Sequence, residues 1–516
     1  LDVLALLLDG FAVALTPTNI GLAVFGCFIG TIVGALPGLG PVNGVAILIP
    51  LAFSLRLDPG SALIMLTCVY YGCMYGGRIS SIMLNIPGDE PAMMTCLDGH
   101  PMAKQGKAPE ALAISAIASF CGAMLATVGL VLLAPLLVQF AIHFGPAEYF
   151  ALYVLAFVTI GGITGSNPAK TLIAACLGLA LGTVGIDPQS GVPRYTFGEF
   201  HLFDGFEPIV ALVGLFAISE LLILLEQRMK GRKVPLPERV FARWSVIRPT
   251  FGATLRGSGI GFVAGVLPGA GASLGSFLAY TMEKRTSDRG TFGTGDPRGV
   301  AAPEAGNNAA AGGAMVPMLA LGVPGSGTTA VLLALLISLN IAPGPLLFQN
   351  QPDVVWGLIA ALFFANVVLL VLNLPLVGLF TRMLAVPMWV LMPLVVMISF
   401  VGVYSISNSS FDLMLMSAFG VLGFVLRKLD ISLVPVVLGL LLGNDMESNF
   451  RRALTISNGD PAIFVSSGIT VGLYAAVLGF LALAFVLSRR KGKLVSREAA
   501  LGIPTEKERR EVQEGD

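Results

Sequence analysis

One glycine-proline phrase occurs twice in this chain, 231 residues apart. It reads Gly30-Thr-Ile-Val-Gly34-Ala-Leu-Pro37-Gly38-Leu-Gly40, and again Gly261-Phe-Val-Ala-Gly265-Val-Leu-Pro268-Gly269-Ala-Gly271. Both copies lie inside apolar runs. Proline removes a backbone donor and glycine frees the backbone, so each copy should interrupt a helix. At membrane depth such a break is tolerated only where protein buries it or water reaches it. Breaks at matching positions in two halves are the sequence feature that best locates a transporter's binding site.

A membrane setting follows from composition. Charged residues are 12% of the chain, about half the share of a soluble domain, and the mean hydropathy is +0.83. Runs at 111–140, 149–163, 355–380 and 472–487 are long enough, or nearly so, to span hydrocarbon. Net charge is zero, but Arg228, Lys230, Arg232, Lys233, Arg239, Arg243, Arg248 and Arg256 crowd one connector, and Arg489, Arg490, Lys491, Lys493 and Arg497 follow the last apolar run. Such clusters stay on the cytoplasmic side. They read as topology signals, not as nucleic-acid sites, since no soluble domain accompanies them. The six cysteines match no zinc or disulfide spacing. The first fifteen residues lack a basic start, which argues against a cleaved signal peptide.

The repeat runs past its opening phrase. Gly76-Gly77 leads to Ile86-Pro87-Gly88-Asp89-Glu90-Pro91, as Gly312-Gly313 leads to Val323-Pro324-Gly325-Ser326-Gly327-Thr328-Thr329. Thr164, Ser166 and Asn167 find counterparts in Ser405, Ser407 and Asn408. The expected fold is an all-α polytopic membrane protein of about 10–12 spans, two tandem halves with broken helices or helical hairpins. The division is 1–227 for the first half, 228–249 for a basic linker, 250–488 for the second half and 489–516 for a cytoplasmic tail. Arg56, Lys104–Lys107, Lys170 and Lys284–Arg298 fit parallel halves that start and end in the cytoplasm; Arg382, Arg427-Lys428 and Arg451-Arg452 fit less well, so inverted repeats stay open.

Candidate site residues gather at the breaks. Pro37, Gly38, Gly40, Pro268, Gly269 and Gly271 would expose N–H groups of the next helix to an anion, with Asn43 and Ser273 one turn on. Gly30, Gly34, Gly261 and Gly265 fit a packing stripe as well as a site. The second breaks add Asn85, Pro87, Gly88, Asp89 and Glu90 in one half, and Pro324, Gly325, Ser326, Gly327, Thr328 and Thr329 in the other. Hydroxyls beside glycines suit a carboxylate; a lone acid suits a coupling cation, or is a wet loop residue. Arg78 is either the partner of Asp89 and Glu90 or a direct contact for a negative substrate. Asp89, Glu304, Asn307, Asn308, Asn167 and Asn408 are the candidates for cation coupling, the last two being equally readable as loops at the membrane face. His100, His143 and His201 are isolated, and no HExxH, GxSxG, Walker A or CxxCH pattern occurs. An ATP motor and an intramembrane enzyme are both disfavoured.

The glycine-proline phrase in both halves, the stretch Tyr75-Gly-Gly-Arg78-Ile-Ser-Ser81-Ile-Met-Leu-Asn85-Ile-Pro87-Gly88 and the stretch Gly322-Val-Pro324-Gly325-Ser326-Gly327-Thr328-Thr329 resemble the TctA family, the large membrane subunit of tripartite tricarboxylate transporters. The resemblance covers nearly the whole chain. It implies a bacterial inner-membrane carrier working with a small TctB-like membrane subunit and a periplasmic TctC-like solute-binding protein. It also implies coupling to Na⁺ or H⁺, no other cofactor, and citrate as the default substrate. The alternative is an organic-anion channel or exporter of the same architecture without ion coupling.

Overall fold

The computed structural model describes residues 3–36, 38–164, 168–227, 243–269, 271–383 and 388–482. Most of the connector and all of the expected tail lie outside the described residues. The first half runs α1 (Val3–Ala14), α2 (Pro17–Ala35), α3 (Gly40–Ser54), α4 (Pro59–Leu84), α5 (Met93–Lys104), α6 (Ala108–Ala141), α7 (Pro146–Thr164) and α8 (Pro168–Gly182). A small antiparallel pair follows, β1 (Gly185–Ile186) with β2 (Pro193–Arg194). One rod closes the half: α9 (Pro208–Leu212), a π-helical turn at Val213–Ile218, and α10 (Ser219–Gln227).

The second half begins with α11 (Trp244–Ile247) and repeats the plan in α12 (Phe251–Val266), α13 (Gly271–Ser287), α14 (Pro297–Leu321) and α15 (Gly327–Ser338). After α16 (Leu347–Asn350) come α17 (Pro352–Asn373), α18 (Val377–Met383), α19 (Met388–Ser407), α20 (Ser410–Lys428) and α21 (Leu433–Ile456). A last apolar helix covers Gly468–Ala482. Proline at the first turn opens many of these helices, where its missing N–H costs nothing. Thr16, Asp58, Asp296 and Ser409 cap theirs by accepting a bond from a backbone N–H.

The glycine stripes settle how the helices pack. A Cβ on Gly26, Gly30 or Gly34 of α2 would fall 2.4, 2.3 or 2.1 Å from the carbonyl oxygen of Met65, Val69 or Cys73 on α4. On α12, a Cβ on Gly257, Gly261 or Gly265 would fall 2.4, 2.1 or 2.2 Å from the carbonyl oxygen of Ala302, Gly306 or Ala310 on α14. The G-x3-G part of the phrase is therefore a helix-packing stripe in both halves. Residue numbers rise together along each pair, so α2 runs parallel to α4, and α12 to α14. Between them α3 and α13 must run back, and each first break is the tip of a helical hairpin.

The two halves are inverted. Tyr71 of α4 sits beside Gly312 of α14, while Arg78, two turns further along α4, joins Glu304, two turns earlier on α14, through Ser119. The central helices α4 and α14 thus run antiparallel. This corrects the parallel arrangement that Arg56, Lys104, Lys107 and Lys170 favoured. Inversion brings Lys104, Lys107, Lys170, Lys284, Arg285, Arg298, Arg382, Arg427 and Lys428 to one end of the molecule, so Arg382, Arg427 and Lys428, which fitted poorly, now agree, while Arg451 and Arg452 do not. Arg56, Arg194 and Arg451 lie at the other end.

Long arms are exchanged between the halves. The first half's α6 packs on α14, where a Cβ on Gly122 would meet the Ala305 carbonyl oxygen at 2.3 Å. The second half's α17 packs on α2 and α4, with the Cys27 thiol 3.8 Å from the Ala365 carbonyl. At 34 residues, α6 is about 51 Å long, well beyond a hydrocarbon core of about 30 Å. Among the described residues, five helices are long and apolar enough to cross a bilayer, α2, α6, the α9–α10 rod, α17 and α20. Outside the core, α8 pairs with α21 and α20 with the α9–α10 rod, again across the halves.

Candidate functional site

Each first break is built on two left-handed glycines. Gly38 and Gly40 have φ of 91° and 59°, and Gly269 and Gly271 have 79° and 61°. Any other L residue would be strained there. Pro37 lies outside the described residues; Pro268 occupies the second tip. The second breaks open from left-handed caps at equivalent positions, Asn85 (φ 58°) and Gly322 (φ 71°). Asn85 is thus a helix cap in this structure, a conformation Asn tolerates.

Within each half the two breaks meet. Gly88, which follows Pro87, is pressed between the α2 and α4 backbones: a Cβ there would lie 2.3 Å from the Gly34 carbonyl oxygen. Gly325 is held likewise by Ala314 of α14, and its carbonyl, just after Pro324, accepts a bond from Gly269 N–H at 3.1 Å. A Cβ on Gly40 or Gly271 would sit 3.7 Å from Asp89 or Ser326. The halves also meet each other. Ser273 Oγ donates to Glu90 at 3.2 Å, Ser276 Oγ to the Pro91 carbonyl at 2.8 Å, and Val42 lies against Gly327. Four breaks converge at the centre of the protein.

Around them lie buried polar atoms without a hydrogen-bond partner. They include Asp89 Oδ2, both side-chain atoms of Asn307, Asn308 Oδ1, the hydroxyls of Thr67, Tyr70, Tyr71 and Tyr75, and Arg78 Nε and Nη2. Each such atom costs about 1–3 kcal/mol if nothing reaches it. Thr67, Tyr70 and Tyr71 on α4 stand 237 residues before Glu304, Asn307 and Asn308 on α14. The repeat therefore places polar groups at the same three points of both central helices.

The charged members are held in known ways. Asp89 Oδ1 accepts the Ala92 N–H at 3.1 Å. Glu304 accepts from Thr95 at 2.5 Å and from Ser119 at 3.0 Å, and Asn308 Nδ2 donates back to the Glu304 carbonyl at 3.1 Å. Arg78 Nη1 donates to Ser119 at 3.3 Å, and its guanidinium stands 5.0 Å from the Tyr75 ring centre. Arg78 is therefore linked to Glu304 across the halves, not ion-paired with Asp89 or Glu90. Ser326 and Thr329 close a capping box on α15, with Thr329 Oγ1 accepting the Ser326 N–H at 2.8 Å. That leaves buried Thr328 as the hydroxyl not used by the cap. Asn408 is an exposed left-handed turn between α19 and α20, apart from the breaks; Asn167 lies outside the described residues.

The first break also holds a triad that sequence reading missed. Asn43 Nδ2 donates to Glu220 Oε2 at 3.0 Å, and Arg427 donates to the same Glu220 oxygen and, at 3.2 Å, to Asn43 Oδ1. Glu220 belongs to α10 and Arg427 to α20. Extending the repeat to the end of each half would have flagged it, since Pro208 and Glu220 recur as Pro435 and Glu447.

Inverted helical halves with four breaks enclosing unpaired polar atoms are the architecture of a multi-pass membrane transporter. The chain belongs to the TctA family: the signature of the "Tripartite tricarboxylate transporter TctA family" matches residues 20–438. It is a component of a transporter, not an enzyme, and the family works in tripartite systems with partner subunits. The chain is 39% identical over 494 residues to the "Uncharacterized 52.8 kDa protein in TAR-I ttuC' 3'region" of Agrobacterium vitis, covering 95% of this chain and 98% of that protein. It is also 40% identical over 231 residues to the "Uncharacterized protein in TAR-II ttuC' 3'region" of the same organism, covering 45% of this chain and 96% of that one. No solved structure matches it.

Proposed function

We propose that this protein is the large permease subunit of a cation-coupled importer of tricarboxylates or related organic carboxylates in the bacterial inner membrane. A small TctB-like membrane subunit and a periplasmic TctC-like binding protein complete it, the latter delivering substrate. The end rich in Lys and Arg faces the cytoplasm. The observation that carries the reading is the meeting of four helix breaks around unpaired buried polar atoms. Substrate carboxylates bind the N–H groups that open α3, α13 and α15, helped by Ser273, Thr328 and Asn307. Arg78, tied through Ser119 to Glu304, supplies positive charge behind them. Asp89 Oδ2 and the Asn307 and Asn308 oxygens form the place for Na⁺ or H⁺.

The test is uptake of radiolabelled citrate and other carboxylates into vesicles holding all three subunits, with Na⁺ present or replaced by choline, at imposed and collapsed proton gradients. Uptake that needs one cation gradient and falls roughly tenfold or more in Asp89→Asn supports the reading. Gradient-independent flux unchanged in Asp89→Asn overturns it in favour of an anion channel.

A further inference from the structure

The two repeats share a plan but not a state. In the first half, α3 is buried along nearly its whole length, covered by α19 and by the π-helical turn of the α9–α10 rod. In the second half, α13 is buried along one face only, and among the described residues its substantial packing is with α12, α14 and α5. The outer helices that would cover it by the repeat's logic, α21, α7 and α8, make no substantial contact with it among the described residues.

Polar contacts follow the same division. At the covered tip, Glu220 bonds Asn43 and Arg427, and a Cβ on Gly38 would come 3.8 Å from Glu220 Oε1. Its repeat equivalent Glu447 has no such contact with α13. It pairs with Arg194 at 2.9 Å and with Arg451, whose guanidinium also holds Asp187 at 2.9 Å. The backbone N–H of Gln189, with Arg451, keeps that Asp187 carboxyl well below the usual carboxylate range. Pairing at the open end thus keeps Glu447 neutralised while it is away from the tip.

Along the covered contact α3 runs from its tip towards Arg56, while Glu226 at the far end of the α9–α10 rod pairs with Lys428, so the rod rises towards the basic end as α3 descends. The triad therefore closes the side of the four-break site that faces the basic end.

We propose that Asn43–Glu220–Arg427 is a closed gate on the basic side of the site, and that Glu447 with Arg194 and Arg451 is the same device opened on the opposite side. Transport exchanges the two: Glu220 leaves the α3 tip as Glu447 reaches the α13 tip. The proposal rests on the transporter reading but not on the substrate or the coupling ion. The structure, on this account, is the state open away from the basic face, ready to receive substrate.

The experiment uses the complete three-subunit transporter with its six cysteines replaced by alanine and shown still to transport. Two cysteine pairs are compared, Asn43→Cys with Glu220→Cys, and their repeat equivalents Leu274→Cys with Glu447→Cys. A short bifunctional thiol reagent bridges them, and the bridged peptides are read by mass spectrometry. Both pairs should bridge during turnover, each bridge should lower transport below that of its own unbridged variant until a reductant is added, and bridging the first should suppress bridging of the second. The proposal is overturned if the second pair never bridges, if both bridge together in one molecule, or if a bridged first pair transports as well as its unbridged variant.

A cysteine-free check is charge exchange. Glu220→Arg and Arg427→Glu should each lower transport by roughly tenfold or more, and the double variant should recover most of it. A double variant no better than the singles contradicts the gate. If the bridges alternate while no carboxylate is carried, the gate stands and the substrate reading falls.

Discussion

The hairpin returns α3 and α13 occupy the same place in the two repeats and have opposite surroundings. The sequence Gly40–Ser54 is apolar throughout except at Asn43 and its terminal Ser54, and an outer bundle closes over it. Gly271–Ser287 ends in Glu283, Lys284 and Arg285, with Glu283 paired to Arg256 at 2.8 Å, and exposes Phe277 and Met282 along the rest. The glycine stripes behind the two hairpins are the same to within 0.3 Å in approach, 2.1–2.4 Å in every case. What is shared is therefore the rigid core, and what differs is the docking of the outer helices. A transporter needs that separation between a fixed site and moving flanks.

The largest expected effect tests the shared core. Gly34→Leu and Gly265→Leu drive a side chain into a neighbouring carbonyl with no room to yield; both should abolish folded protein, measured by detergent-solubilised yield and thermal melting. Equal damage in both halves supports a common core, and damage in one alone breaks the comparison.

Next is Glu304→Ala, which leaves Arg78 buried without the acid that balances it. It should cost about 3–5 kcal/mol in chemical unfolding, and Glu304→Gln should cost less because Thr95 and Ser119 keep a partner. Asn307→Ala should separate function from packing. It removes an amide with no partner in the structure, so melting should be unchanged or higher while uptake falls roughly tenfold. The smallest effects belong to Asn408→Gly and Gly21→Ala. Asn408 is an exposed turn and a Cβ on Gly21 meets nothing within 4 Å, so uptake and melting should stay close to the parent.

Much of this was legible in the sequence because the chemistry is local. At both hairpin tips the glycines of Pro-Gly-x-Gly are left-handed, and the second copy at Pro268 gave the repeat away. The Gly30 and Gly34 stripe was readable as packing or site; only the neighbouring carbonyls of α4 decide it. Inversion was not legible, since loop charges alone do not reveal that α4 and α14 run antiparallel. Nor was the gate, because the inserted hairpin carrying β1 and β2 changes the repeat offset just before Glu220. Tyr70 and Tyr71 were overlooked for a different reason: their repeat partners are Asn307 and Asn308, alike in polarity and unlike in shape.

The most direct test of the central claim is equilibrium binding of radiolabelled citrate, with related carboxylates as competitors, to the purified complex and to Asn307→Ala, Ser273→Ala and Asn408→Gly. If substrate binds where the four breaks meet, affinity falls at least about tenfold in the first two and is retained in the third. Full affinity in Asn307→Ala and Ser273→Ala for every carboxylate that the parent binds would contradict the account.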